Sequence, residues 1–472
     1  MIKSSFLSLK NKIYGFFQEK CEPFVKNSCL LSNIDALIMV FISLTLIGST
    51  FLESEKIGLL GLGVVGLTVV KMFVKKGAKA RMTPWDGAIF VYFVICLLST
   101  FNSELVSDSV HGFLKTVIYI LYYFCAANYF QTNQNKIRYF FLLIGILCSI
   151  QSVIAIWQNL CGVEEISTWQ DTNYVNPEDV ISRAYGTLKP FNPNLLGGYL
   201  VAGISGIIAT AMLAFSKKNY KTFATSTAMF FICAAAIFFT GSRGAYLGLG
   251  AVIFAFVLLF TKIINTDFKT AEKIKKYWRI LLGAAAGFFA IVLISTPQIV
   301  KRLMSIFILR GDSSTSFRMN VYNSSWQMFL DHPILGIGVG NRTFREIYGY
   351  YMLTGYDALS TYSVPLEIAV ESGIFALLAF GAFILMFLYR SLKFISKPLE
   401  NALQSGLSEK IISCAAILTV AGVMVHGLFD TIFFRPQVQF LFWTIIAIGS
   451  SVFFNTAEDC KNSEEGVKNE TL

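Results

Sequence analysis

The chain has 472 residues, of which 55% are hydrophobic and only 14% charged, with a mean hydropathy of +0.60. A soluble protein carries about a quarter charged residues, so a soluble globular fold is excluded and an all-α polytopic membrane protein is expected. The net charge of +10 would suit a nucleic-acid partner, but its distribution along the chain assigns it to the membrane and no nucleic-acid role is expected.

Residues 1–33 read as a basic cytoplasmic segment without a cleavable signal pattern. A bilayer core of about 30 Å takes roughly 20 apolar residues per helix, which predicts about 12 transmembrane helices. They fall near 34–52, 57–74, 86–103, 110–130, 139–160, 194–215, 223–240, 245–264, 280–297, 373–390, 410–429 and 437–455. Together they make one membrane domain over 34–455, and 456–472 is a cytoplasmic tail. Lys75, Lys76, Lys79, Arg81, Lys217, Lys218, Lys221 and the basic run from Lys262 to Arg279 fall on the side of both termini. Glu53, Glu55, Glu104, Asp108, Glu164, Glu165, Asp171, Glu178 and Asp179 fall on the other. Positive charge marks the cytoplasmic side, so a multi-pass protein of the cytoplasmic (inner) membrane with both termini inside is expected. Lys115 is a charge deep within a span, where it can snorkel. The nine cysteines lie mostly in apolar runs, as Cys96, Cys125, Cys148, Cys233 and Cys414 do, and form no pattern for a disulfide framework or a zinc site.

Two outer segments are long, 161–193 and 298–372, and chemistry is expected in the second. Arg243 lies in Gly241-Ser242-Arg243-Gly244-Ala245, between two apolar runs. A cation at a membrane boundary needs a partner. The loop opens with a helix-like run from Val300 to Leu309, broken at Asp312-Ser313-Ser314-Thr315. Met319, Tyr322, Trp326, Phe329 and Leu330 then recur at three- and four-residue spacing, an amphipathic helix on the membrane surface or against the bundle. Arg318 borders that stripe, either snorkelling or, with Arg243, holding an anion such as phosphate.

His332-Pro333-Ile334-Leu335-Gly336-Ile337-Gly338-Val339-Gly340 follows. Its alternating glycines suit a tight structural turn or amides presented to an anion, and match neither a Rossmann fingerprint nor a P-loop. In Tyr362-Ser363-Val364-Pro365, Ser363 can cap a helix and Pro365 suits its first turn. Glu367 and Glu371 then share one face, as solvated carboxylates at a helix start or as catalytic groups. His426, Asp430 and Arg435 occupy a short outer loop, where an Asp430–Arg435 pair stapling the turn competes with substrate binding.

The order of Gly241-Ser242-Arg243-Gly244-Ala245, Arg318 before Trp326, the His332–Gly338 run and Glu371-Ser372-Gly373-Ile374 resembles the bacterial O-antigen ligase and polymerase superfamily over roughly 195–450. The resemblance implies a metal-independent, cofactor-free membrane glycosyltransferase. It would move a glycan from an undecaprenyl-pyrophosphate carrier to an acceptor hydroxyl on a lipid or glycan, outside the cytoplasmic membrane. Arg243 and Arg318 would hold the pyrophosphate, whose developing charge two guanidinium forks can stabilise. No Asp-x-Asp metal motif is present. Where ligases of this kind carry a histidine base, this chain has Tyr362, a poor base near neutral pH. Glu367, Glu371 or His332 would then serve, or the acceptor would need little activation. The wording around Tyr362–Glu371, His426–Asp430 and Arg435-Pro436 is similar to a branch labelled as bicarbonate transporters or inorganic-carbon accumulation proteins, which makes anion uptake or its regulation the alternative. Against it, the cations sit at the outer boundary, without the paired halves and midplane sites of transporters.

Overall fold

The computed structural model describes residues 15–16, 18–25, 27–76, 78, 80–162, 183–268, 272–295, 313–399 and 403–469. Among them no strand occurs, and the chain is an all-α polytopic membrane protein. The helices are α1 (Ile34–Phe51), α2 (Ser54–Val74), α3 (Asp86–Asn102), α4 (Val106–Thr132), α5 (Ile137–Cys161), α6 (Pro193–Ser216), α7 (Tyr220–Phe239), α8 (Arg243–Asp267), α9 (Glu272–Ser295), α10 (Ser313–Asp331), α11 (Asn341–Tyr348), α12 (Val364–Ile395), α13 (Leu403–Gly427) and α14 (Pro436–Asn469). Each of the twelve expected spans falls on one of these. Ten helices among the described residues are long and apolar enough to cross a bilayer, and α3 is a shorter apolar helix of 17 residues. The ninth expected span runs through α9 to Ser295, and the expected Val300–Leu309 run lies outside the described residues. Helix α14 continues through most of the expected tail.

Helices α6, α13 and α14 form the centre, while α2, α7 and α8 show most of their surface outward. The bilayer gives helices no hydrophobic reason to associate, so close backbone approach and buried hydrogen bonds hold such bundles. Gly197 of α6 lies where a Cβ would meet Ala245, and Gly248 of α8 faces the Gly422 carbonyl of α13. Ser205 and Thr419 pair at 2.5 Å, Tyr122 and Thr444 at 2.7 Å, and Trp85 donates to the Tyr123 hydroxyl, which donates to Asp86 at 2.8 Å. Between the end of α8 and the start of α13, Lys410 and Asp267 form an ion pair at 2.7 Å with both side chains essentially buried. Lys410 also donates to the Lys397 carbonyl, and the Leu399 amide donates to Asp267.

A second, smaller core lies beyond the bundle, where Val321, Met328, Ile337, Phe344, Tyr348 and Val370 pack together. It joins α10, the glycine run, α11 and the start of α12. The face of α10 that packs inward is Val321, Ser325 and Met328, with only Phe329 and Tyr322 of the expected stripe half-buried beside it. Met319, Trp326 and Leu330 point away from the protein, so α10 rests on the bundle with one face and offers a separate apolar face outward.

Helix α12 is two helices joined at Gly373, whose φ of 78° and ψ of 178° leave the helical region. The carbonyls of Val370 and Glu371 accept instead from the amides of Ile337 (2.9 Å) and Gly338 (3.0 Å), and the Ile374 amide donates to the Pro333 carbonyl. A Cβ on Gly373 would sit 2.0 Å from the Ile334 oxygen, so only glycine fits. The glycine run is therefore a structural turn. Its Ile337 carbonyl accepts from Ser103 of the α3–α4 turn, and Gly340 lies against the backbone of Gly112 in α4.

Candidate functional site

Three arginines from three separate segments meet on one face of the bundle. Gly241 turns the chain between α7 and α8 with a φ of 64°. Ser242 then caps α8 by accepting from the Ala245 amide at 3.4 Å, which leaves Arg243 at the helix start. Gly244 is buried against the ring of His426, where a Cβ would come 2.7 Å from Cδ2. The Gly-Ser-Arg-Gly-Ala wording is thus a turn, a cap, a cation and two close contacts in succession.

Arg183 ends the other outer segment. Its Nε donates to the Thr240 carbonyl at 2.9 Å and its Nη2 to Asn194 at 2.7 Å. Two of five guanidinium donors are spent in this way, and the residue is otherwise exposed. Arg183 lies within electrostatic reach of Arg243, Arg318 and Asp430. Its sequence signal was slight: an arginine closing a segment otherwise rich in acid, Glu164 to Asp179.

Arg318 projects from the first turns of α10. Its side chain is 27% exposed and approaches Asp430 at 3.6 Å, yet its guanidinium donates no hydrogen bond among the described residues. The group stands over the ring of Tyr362 at 5.7 Å. A largely desolvated guanidinium with its fork unspent is a costly arrangement unless an anion completes it. Asp430 accepts from Asn194 at 2.8 Å and turns to Arg318 rather than Arg435, so the expected staple does not form. Arg435 lies instead within electrostatic reach of Glu367 and Tyr119. His426 is wholly buried behind the cluster, near Asp430 and Arg318, and neither ring nitrogen has a partner among the described residues.

Tyr362 adopts a φ of 55°, an uncommon conformation for a non-glycine residue. Glu367 helps to hold it, because its Oε2 accepts from the Thr361 amide at 2.7 Å. Ser363 occupies the cap position of α12 but makes no side-chain cap bond; Thr361 spans the turn by donating to the Ser363 carbonyl. Burial, with Asp430 nearby, pushes the Tyr362 hydroxyl up to about 12, and Arg318 offsets only part of that. Glu367 and Glu371 are not solvated: they are 1% and 7% exposed. Glu371 sits one turn further along, toward Tyr92 and Cys96 of α3 and within reach of Lys115, which is exposed on α4. His332 follows the far end of α10, about 20 Å along the helix axis from Arg318, and is held by its backbone to Met328 and Gly336. The structure therefore gathers Arg243, Arg318, His426, Asp430 and Tyr362, sets Glu367 and Arg435 just behind them, and leaves Glu371 and His332 apart.

Residues 228–381 match the family model described as O-antigen ligase. Over that stretch, about a third of its length, the chain is similar to the O-antigen ligase family. The matched stretch carries Arg243, Arg318, the glycine run, Tyr362 and both glutamates. It is narrower than the 195–450 of the sequence resemblance and leaves out Arg183, His426, Asp430 and Arg435. It carries the ligase description and does not extend to the inorganic-carbon branch. No curated protein matches the chain.

Proposed function

We propose that this protein is a membrane glycosyltransferase of ligase or polymerase type, which transfers a glycan from undecaprenyl pyrophosphate to an acceptor hydroxyl outside the cytoplasmic membrane. The observation that carries this reading is Arg318: mostly buried, 3.6 Å from Asp430, and with no hydrogen bond from its guanidinium among the described residues. A pyrophosphate oxygen completes it. Arg243 and Arg183 supply two more cations to the same anion.

In the reaction the acceptor oxygen attacks the anomeric carbon, and the bond from that carbon to the phosphate oxygen breaks. The electron pair leaves with the pyrophosphate, where the guanidinium groups stabilise it. The acceptor proton passes to a carboxylate. Asp430 is the one beside the arginines, and it is poised for this role. Tyr362, with its hydroxyl pushed up to about 12, holds its proton near neutral pH and serves as a platform under Arg318. Glu367 positions the Tyr362 turn through the Thr361 amide. The outward apolar face of α10, Met319, Trp326 and Leu330, suits contact with the lipid part of the donor or the surrounding bilayer.

The test is transfer of a labelled glycan from a synthetic polyprenyl-pyrophosphate donor by protein reconstituted in proteoliposomes. Turnover that depends on Arg318 and Arg243 supports the reading. Labelled bicarbonate flux above protein-free background, with no glycan transfer by the same preparation, would replace it with anion uptake.

A further inference from the structure

The opposite end of the bundle holds a second cationic cavity. The Glu53 end of α2 adjoins the arginine side, because Lys189 reaches Glu53 at 3.5 Å and Thr187 donates to the Thr50 carbonyl. Lys71 lies in the last turn of α2, roughly 25 Å further along its axis. That distance puts it at the other headgroup layer. There a cavity of about 90 Å³ opens between α1, α2 and the end of α4, lined by Thr68, Lys71, Arg81, Asn128, Gln131 and Thr132 among others. A space of that size holds several waters, or one phosphate group, by the rule of about 10–15 Å³ of probe-occupied volume for each water.

Its walls are built and positively charged. The Arg81 amide donates to Asn128 Oδ1 at 2.8 Å and Asn128 Nδ2 donates back to the Arg81 carbonyl, a two-point clamp that fixes this arginine on α4. Lys71 and Lys75 share one carboxylate, Asp35. Lys71 and Arg81 both line the cavity, and hydroxyl and amide side chains complete the lining. Nearby, Gln18 of the N-terminal segment donates to the Met72 carbonyl, while Phe16 and Phe24 are exposed, as suits a segment lying at a lipid interface.

We propose that this cavity binds a phosphate group, supplied by an anionic lipid of the adjacent leaflet. Basic pockets between helices at the headgroup layer have this use, and each cation there contributes about 1 kcal/mol, or a factor of about five. The site is separate from the arginine cluster and does not depend on glycosyl transfer.

The experiment is native mass spectrometry of the full chain released from vesicles of phosphatidylcholine with phosphatidylglycerol. Wild type is expected to retain phosphatidylglycerol in preference to phosphatidylcholine. Arg81→Gln and Lys71→Gln should each lower that retention about fivefold. Arg81→Lys should keep most of it, and Lys56→Gln, an exposed lysine on the other face, should not change it. A second arm adds inorganic phosphate to protein in phosphatidylcholine alone: an Arg81-dependent rise in melting temperature, without lipid preference, assigns the same phosphate site to a soluble ligand. Equal retention of the two lipids together with no response to phosphate overturns the proposal. So does unchanged phosphatidylglycerol retention by an Arg81→Gln protein that melts as wild type does.

Discussion

Replacing Arg318 by alanine removes the guanidinium whose hydrogen-bonding capacity the protein leaves unspent. Because that group donates no hydrogen bond among the described residues, little structure is lost with it; the contacts given up are the 3.6 Å approach to Asp430 and the stacking over the Tyr362 ring. The loss falls on the reaction. A preorganised donor at a developing oxyanion is worth about 2.7–4 kcal/mol, so kcat should fall about 10²- to 10³-fold. Arg318→Lys keeps the charge and loses the planar fork, and should recover roughly one order of magnitude of that deficit. The assay is single-turnover transfer from a defined polyprenyl-pyrophosphate glycan in proteoliposomes, with size-exclusion profiles confirming that each variant is folded. Alanine also leaves Asp430 without its nearest cation. Asp430→Asn in the same background should restore any lost thermal stability and should not restore transfer. An Arg318→Ala protein that turns over at more than half the wild-type rate would refute the pyrophosphate role.

Arg243→Ala and Arg183→Ala should each slow transfer in the same assay by about 10- to 100-fold, since each supplies one charge-assisted contact worth about 1.5–3 kcal/mol; full activity in both would remove the shared-anion site. Tyr362→Phe keeps the ring beneath Arg318, and because the hydroxyl sits near 12 it stays protonated from pH 6 to 9, so the pH–rate profile over that range should not move. The stability linked to that hydroxyl is fully present below its ordinary value near 10 and lost as pH rises through about 12, so Tyr362→Phe should alter unfolding only on this alkaline limb; a shift of the neutral limb would make Tyr362 a participant. Lys410→Met strands a buried Asp267 and should cost about 3–5 kcal/mol, read as a lowered melting temperature, whereas Lys410→Met with Asp267→Leu should regain most of it. Gly373→Ala places a Cβ 2.0 Å from the Ile334 oxygen at a φ of 78°, and should destabilise by about 3 kcal/mol or more; wild-type melting would show that the junction can relax.

The spans were legible because each is a long apolar run, and hydropathy alone reads those. The side on which α10 packs was not. Val321, Ser325 and Met328 face the protein while Met319, Trp326 and Leu330 face outward, and spacing alone does not tell which of two apolar faces packs. Arg243 and Arg318 stood out as cations against apolar sequence. Arg183 did not, for its place in the cluster depends on Thr240 and Asn194, which are distant in the chain. A solvated pair was one of two readings of the glutamates, because a helix start is usually wet; Glu371 is covered by backbone of the glycine run and Glu367 is met by the Thr361 amide, contacts that carry no side-chain signature. The Asp430–Arg435 staple failed for a similar reason, since proximity along the chain says nothing of the partner that α10 brings from outside.

The seam at Gly373 is written in main-chain atoms. Amides from 337 and 338 replace those of the next helical turn, and the glycines contribute only their lack of bulk. A junction of that kind is indifferent to most neighbouring side chains. Exposed positions of α11, such as Arg342, Arg345 and Glu346, can therefore change without disturbing that join.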